Sequence, residues 1–495
     1  MKEQNTSNTA QAMWLGIGSL CSFMFAIVSS AVLSRYLTKD EYGTYKQVMY
    51  VYTTLQSVFT LGLPLAYSYF LPRVSKEEGR TLTSKLDLAF LVLGAVFSLV
   101  LFFGADIIAD ILKNPDLASN LRIFSPSPIL ILPTMGLNGV LATYKKTVWN
   151  AIYVICTRVL MLLFVAMPVA FYRADCEVAI WGFVIASFIS LVIAFIIEKL
   201  PFIGVKKEPC TVTYRDIFKY SIPLMVAGLL GVAINAADQF YVSRFYGQEV
   251  FADFANGSLE LPFVSMVLSA GATVLLPTFS RMISNGEDKN NIVDLWKRTA
   301  VKSAYIIYPL VVFFWFFAKD TMTFLYGDKY IESAIYFRIM LIVNFFTVIP
   351  FYPIILALGK TKVYARNHFI ILVTVWSLEF LSVKILNTPY AITAINVFCR
   401  ILKIWLMFKV VTDTLHISML KLLPLRNLLT VALSCMASGF IAWLVVQFIP
   451  ISQIQILSLS IGFVIFVGLV LLMSKPLKID YFELLRPVLS KFIKK

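Results

Sequence analysis

The sequence predicts an all-α polytopic membrane protein of about fourteen transmembrane helices, arranged as two pseudo-symmetric six-helix lobes followed by two extra C-terminal helices. Three observations predict it. The 495-residue chain is 59% hydrophobic and only 14% charged, with a mean hydropathy of +0.80. Its apolar runs are about twenty residues long, the length of one helical span. Alternate loops between those runs differ sharply in Lys and Arg content. A soluble chain would carry roughly a quarter charged residues. Lipid offers no water to unpaired backbone groups, so spans must be helices or closed barrels, and runs of this length are too long for barrel strands.

In chain order the spans are expected near 12–33, 46–70, 86–104, 122–143, 147–170, 177–198, 219–243, 254–279, 299–318, 335–358, 365–386, 390–411, 426–449 and 454–473. The first run, Met13 to Leu33, is too long for the core of a signal peptide and lacks a small-residue cleavage site, so it stays as the first span. With the N-terminus inside, cytoplasmic segments hold about 29 of the 43 Lys and Arg residues and the other side about 11. Arg73, Lys76, Arg80 and Lys85 follow span two, and Lys199, Lys206, Lys207, Arg215 and Lys219 join spans six and seven. This bias places both termini in the cytoplasm. It also accounts for the net charge of +15 without a nucleic-acid partner.

External loops are too short for a folded domain. The tail from Lys475 to Lys495 sets Tyr481, Leu485, Val488 and Phe492 on one helical face among lysines, a pattern suited to an anionic membrane surface. The six cysteines form no CxxC pair; four lie in apolar runs, and Cys176 and Cys210 are expected in loops on opposite sides. They read as apolar fillers, with no disulfide framework, metal site or cofactor expected.

A repeat underlies the two lobes. Ser34-Arg35-Tyr36 ends span one, with Tyr45 ten residues after the Arg. Ser243-Arg244-Phe245 ends span seven, with Phe254 ten residues after. The following spans end in Leu71-Pro72-Arg73 and in Leu276-Pro277 with Arg281. The domains read as a lobe at 1–198, a basic linker at 199–216, a second lobe at 217–411, and a pair of spans with a basic tail at 412–495.

The stretch from Arg35 to Tyr45, Arg-Tyr-Leu-Thr-Lys-Asp-Glu-Tyr-Gly-Thr-Tyr, resembles the loop after the first span in polysaccharide-exporting members of the MATE-like (MOP exporter) superfamily. Pro277-Thr278-Phe279-Ser280-Arg281 with Asp294-Leu295-Trp296 is similar to the segment after span eight. Leu325-Tyr326-Gly327-Asp328-Lys329-Tyr330, with Ala334 and Arg338, resembles the loop before span ten, and Leu358-Gly359-Lys360-Thr361-Lys362 the loop after it. Their order agrees over nearly the whole chain, and together they point to the oligosaccharide-flippase branch. That resemblance implies a V-shaped two-lobed fold with a central cavity in a bacterial inner membrane. It implies a polyprenyl-diphosphate-linked oligosaccharide moved to the outer leaflet by alternating access, for O-antigen, capsule or exopolysaccharide synthesis. Other glycan-assembly membrane proteins are then natural partners. The family has no catalytic motif to transfer, so site residues are argued from physics.

A charge at a helix centre costs about 2.5–3.5 kcal/mol on insertion scales, so charges at depth belong in a cavity or in ion pairs. Arg158 in span five, Glu379 in span eleven and Arg400 in span twelve lie roughly 16–18 Å from the cytoplasmic ends at 1.5 Å per residue. Lys403 is three positions from Arg400 and shares its face, which Asn396 extends. One reading has Arg158, Arg400 and Lys403 receive the diphosphate, with Glu379 holding them when the cavity is empty. The other is a fixed interhelical ion pair with a snorkelling lysine. Asp238 and Glu260, with Asn235, are placed about one turn from the external ends of spans seven and eight; they read as an outer gate, a cation-coupling group or plain interfacial carboxylates. His368 and His416 read as interfacial residues rather than a proton relay.

Pro64, Pro126, Pro128, Pro133, Pro223, Pro262, Pro350 and Pro353 interrupt spans and permit kinks. Tyr50, Thr54 and Ser57 form a polar stripe that suits sugar contact or helix packing. A cation-coupled drug or metabolite exporter of the same fold is the competing function, and it predicts a carboxylate-dominated cavity. A membrane enzyme would need a catalytic constellation or a large external loop; none is legible, so no enzymatic activity is expected.

Overall fold

The computed structural model describes residues 8–348, 351–449, 454–477, 479 and 481, and among these it contains helices and no strands. Among the described residues twelve helices are long and apolar enough to cross a membrane. The two other expected spans, 46–70 and 335–358, are also helical but interrupted. Two compact units divide the chain, Met1–Ala252 and Asp253–Lys495.

The first unit contains α1 (Asn8–Tyr36), α2 (Lys39–Phe59), α3 (Leu63–Phe70), α4 (Lys76–Leu112), α5 (Asp116–Phe124), α6 (Ser127–Ile131), α7 (Leu137–Thr143), α8 (Thr147–Met161), α9 (Met167–Phe171), α10 (Cys176–Glu198) and most of α11 (Tyr214–Gly257). α1 lies along α8, α10 packs on α8, α5 and α6, and α4 packs on α5 and α6. Two helix starts are set by sequence. Thr38 accepts from the Glu41 N–H at 3.2 Å while the Thr38 N–H donates to the Glu41 carboxylate at 2.9 Å. Ser75 and Glu78 make the same reciprocal pair at the start of α4. Each capping box satisfies two helix-end donors that would otherwise lack partners.

Span two is broken between α2 and α3 by Leu61 and Gly62, both at positive φ. A Cβ on Gly62 would stand 2.6 Å from the Ser221 carbonyl oxygen, so the close approach of α11 requires glycine. Pro64 then sits in the first turn of α3, where its missing N–H costs nothing. Between α8 and α9 the chain widens into a π-helical turn, Leu162–Ala166. Pro168 follows four residues after Phe164; its ring cannot accept a normal helical turn at that carbonyl, and the wider turn makes room. Gly182 of α10 packs onto the Phe164 carbonyl, where a Cβ would fall 1.8 Å away.

α2, the end of α4 and α11 are tied by a buried amide chain. Asn114 donates to Thr44 at 2.9 Å and to the Gln47 carbonyl oxygen at 2.5 Å, and the Gln47 amide donates to Ser243 at 2.8 Å. Ser243 opens the second copy of the Ser-Arg-aromatic repeat, and Arg244 beside it donates to the Ile111 carbonyl. The first copy ends α1 as the second ends the long part of α11. Of the polar stripe on α2, Tyr50 donates to the Ala236 carbonyl at 3.2 Å and Ser57 to Thr53 of its own helix, both packing roles.

The second unit contains the end of α11, α12 (Pro262–Ser284), α13 (Lys289–Phe316), α14 (Ala318–Tyr326), α15 (Ser333–Leu341), α16 (Phe351–Ala357), α17 (Thr361–Ile385), α18 (Pro389–Leu415), α19 (Met419–Leu422), α20 (Leu425–Gln447) and α21 (Gln455–Ser474). α17 pairs with α18, α12 with α16, α13 with α20, and α20 with α21. A 3-10 turn, Ile342–Phe345, follows α15 and interrupts span ten.

The junction of spans seven and eight differs from expectation. The 243–254 stretch is helical, because α11 runs to Gly257 through a kink at Gly247. There φ is 80° and ψ 176°, a backbone conformation open essentially to glycine alone. The break falls instead after Gly257, and Pro262 starts α12. Cys176 is likewise the first residue of α10 and buried, rather than a loop residue; all six cysteines are free thiols. Pro350, and Leu485, Val488 and Phe492 of the expected tail face, lie outside the described residues. Tyr481 is described, with its ring centroid 5.3 Å from that of Tyr305.

Candidate functional site

Arg158 lines a cavity of about 210 Å³ inside the first unit, walled by α1, α2, α8, the π turn and α10. It stands eleven residues into α8, roughly 16 Å along the helix, one turn before the π segment that ends the regular helix. Its Nε donates to Ser22 of α1 at 2.7 Å, and the residue as a whole is exposed. Lys46 of α2 lines the same cavity. Its ammonium donates to Ser30 at 2.9 Å and lies 5.1 Å from the Tyr42 ring centre. Ser30 in turn shares a 2.6 Å hydrogen bond with the Tyr42 hydroxyl. Among the described residues none of the cavity wall is acidic, and neither cation forms an ion pair.

The two cations are held by serine hydroxyls and, for Lys46, the Tyr42 ring, with no carboxylate beside them among the described residues. A carboxylate partner would close the site; hydroxyl oxygens position the cations and leave their charge for an anion. Lys46 is a residue that the sequence reading does not single out, standing at the expected start of span two. The signal was present: the Thr38-Glu41 capping box fixes the start of α2, which puts Lys46 two turns inside.

The other expected site residues fall in different places. Glu379, Arg400 and Lys403 belong to the second unit. Glu379 on α17 is fully buried and accepts from the Asn396 amide of α18 at 3.5 Å. Arg400 is one turn beyond Asn396, and Lys403 is close enough to Arg400 and to His368 for their charges to interact. Asn396, Arg400 and Lys403 follow one another at helical spacing along α18. His368 bonds the Tyr364 carbonyl at 3.0 Å and packs on that ring, and His416 caps α18 at φ 55°.

Asp238 is buried in mid-helix of α11 and accepts from the Gln239 N–H at 2.8 Å; Gln239 also donates to the Asn235 carbonyl. Glu260 is exposed in the connection between α11 and α12. Its expected position a turn inside span eight is corrected by the later break of α11.

The family described as polysaccharide biosynthesis protein matches residues 9–283, more than half of the chain. No curated protein sequence matches. Among solved structures, a lipid II flippase MurJ in an inward-closed conformation superposes with a TM-score of 0.72 at 16% identity, covering 93% of this chain and 99% of that one. An inward-facing multidrug resistance MATE family transporter of the MOP superfamily gives 0.60 at 12% identity, covering 82% and 98%. A single-substitution mutant of the Vibrio cholerae MATE transporter VcmN gives 0.58 at 14% identity, covering 82% and 96%. Family match and superposition agree: the chain belongs to the polysaccharide biosynthesis protein family and is a multi-pass membrane protein with the fold of the MOP superfamily.

Proposed function

We propose that this protein is a flippase that carries polyprenyl-diphosphate-linked oligosaccharide from the cytoplasmic to the outer leaflet of a bacterial inner membrane by alternating access. The observation that carries the reading is the acid-free cavity holding Lys46 and Arg158. A diphosphate presents several anionic oxygens, and Arg158 can meet two of them at once through its planar fork while Lys46 acts as a point charge. A carrier of organic cations would place carboxylates there instead. Membership of a polysaccharide biosynthesis family and a fold shared with a lipid II flippase support the same substrate class.

In this account the repeat gives two lobes, 1–198 and 217–411, with both termini cytoplasmic. Arg400 and Lys403 form the second basic set, restrained by Glu379 and Asn396 when no substrate is bound. Asp238 with Asn235 serves as an outer gate. The glycan is an O-antigen, capsule or exopolysaccharide repeat unit.

Depletion in cells tests the proposal. Spheroplasts are probed with a glycan-modifying enzyme that cannot cross the membrane. Glycan-lipid that accumulates and stays shielded in the inner leaflet is the expected result; normal arrival in the outer leaflet refutes it for that substrate.

A further inference from the structure

A second cavity in the first unit, about 430 Å³, contains two carboxyl groups that the flippase reading does not use. Asp87 of α4 and Glu198, the last residue of α10, both line it and lie within hydrogen-bonding reach of each other. The Tyr67 hydroxyl of α3 donates to Asp87 Oδ1 at 2.7 Å. Glu198 is 6% exposed, and its Oε1 is buried with no hydrogen-bond partner. Thr83 Oγ1, on the same wall, is also buried and unpartnered.

The surrounding charges do not neutralise the pair. Arg80 of α4, Lys199 and Lys207 line the cavity but are exposed, and among the described residues none forms an ion pair with either carboxyl. The Arg80 guanidinium is directed to the Val205 carbonyl, and Lys85 to the carbonyls of Cys210 and Val212. From the other packed elements the ionisable groups are Tyr67 of α3, Tyr153 of α8, and Tyr144 at the end of α7 with Glu77 near it.

Two carboxylates side by side repel, and a buried carboxylate oxygen without a donor is costly. One proton removes both problems: an O–H bond forms on one carboxyl and donates to the other, leaving a single negative charge that Tyr67 solvates. A metal cation would also bridge the oxygens, but it would enter past three positive side chains. We infer that Asp87, Glu198 and Tyr67 form a proton-binding site, loaded and emptied through this cavity with one proton per chain. It is separate from the Lys46–Arg158 cavity and does not depend on which anion that cavity accepts.

Infrared titration of the full-length protein in lipid tests it, reading the protonated-carboxyl stretch against pH. Asp87→Asn and Glu198→Gln should each remove the signal of one carboxyl per chain, and the double variant should remove no more than either alone. Tyr67→Phe keeps both carboxyls and should move the titration midpoint upward by roughly tenfold in proton affinity, since the ionised state loses a donor. A signal untouched by the two carboxyl variants, additive losses, or an unmoved Tyr67→Phe midpoint overturns the proposal. So does a wild-type signal that sodium or potassium displaces at fixed pH, which would make the ligand a metal ion.

Discussion

The two cavities of the first unit hold opposite charges and resolve them in opposite ways. Around Arg158 and Lys46 the partners are Ser22, Ser30 and the Tyr42 ring, with no acid in the wall. Around Asp87 and Glu198 the two carboxyls lie within reach of each other, Tyr67 donates to Asp87, and the lysines and arginine stay at the rim. A cation held by hydroxyls and an aromatic ring, with no carboxylate, keeps its charge. Two acids facing each other need a proton and nothing larger. Within one unit, then, the two cavities differ in charge: the first is basic with no acid in its wall, the second holds a pair of carboxyls.

The largest effect should come from reversing the basic site. Arg158→Glu should lower export roughly a hundredfold at normal membrane levels, the scale of removing a charge partner from a desolvated pair. Arg122→Glu is the control, because Arg122 pairs with Asp106 on an exposed surface; it should export normally. Lys46→Gln should cost about tenfold and Lys46→Arg much less, since a second fork preserves the charge. Equal losses in Lys46→Arg and Lys46→Gln would mean that packing, not charge, is what α2 supplies.

These contrasts also show which parts were legible in the sequence. The twelve membrane-sized apolar helices found among the described residues were, because lipid imposes a minimum length on each span. Their interruptions were not all legible: Leu61-Gly62 and the Gly247 kink are single-residue events set by the close approach of another helix or by backbone conformation, and hydropathy averages over them. Glu260 was misplaced for that reason. Arg158, Arg400 and Glu379 stood out because a charge inside an apolar run is conspicuous. Lys46 did not, since α2 is the least apolar of the membrane-sized helices and a lysine near its start reads as rim. Asp87 and Glu198 were hidden by distance, 111 positions apart in the chain and each near a basic loop.

A subtler prediction separates the two cavities by their response to pH. Asp87→Asn should flatten the pH dependence of export while leaving its maximum within a few-fold of wild type, whereas Lys46→Gln should lower the whole curve without changing its shape. Identical pH profiles in wild type and Asp87→Asn would remove the acid pair from the transport cycle. The smallest effect belongs to the helix that carries Lys46. Thr38→Ala removes one half of the α2 capping box and should cost about 1 kcal/mol of stability, read as a small fall in the thermal unfolding midpoint with Lys46-dependent export retained.

The most direct test of the central claim is transfer in purified proteoliposomes loaded with a polyprenyl-diphosphate-linked oligosaccharide. A membrane-impermeant glycan-modifying enzyme reports the fraction that crosses with time. Fast transfer by the wild-type protein, lost in Arg158→Glu and strongly slowed in Lys46→Gln, is the predicted result. Transfer no faster than in protein-free vesicles, or transfer indifferent to both substitutions, would contradict the assignment of the basic cavity to the diphosphate.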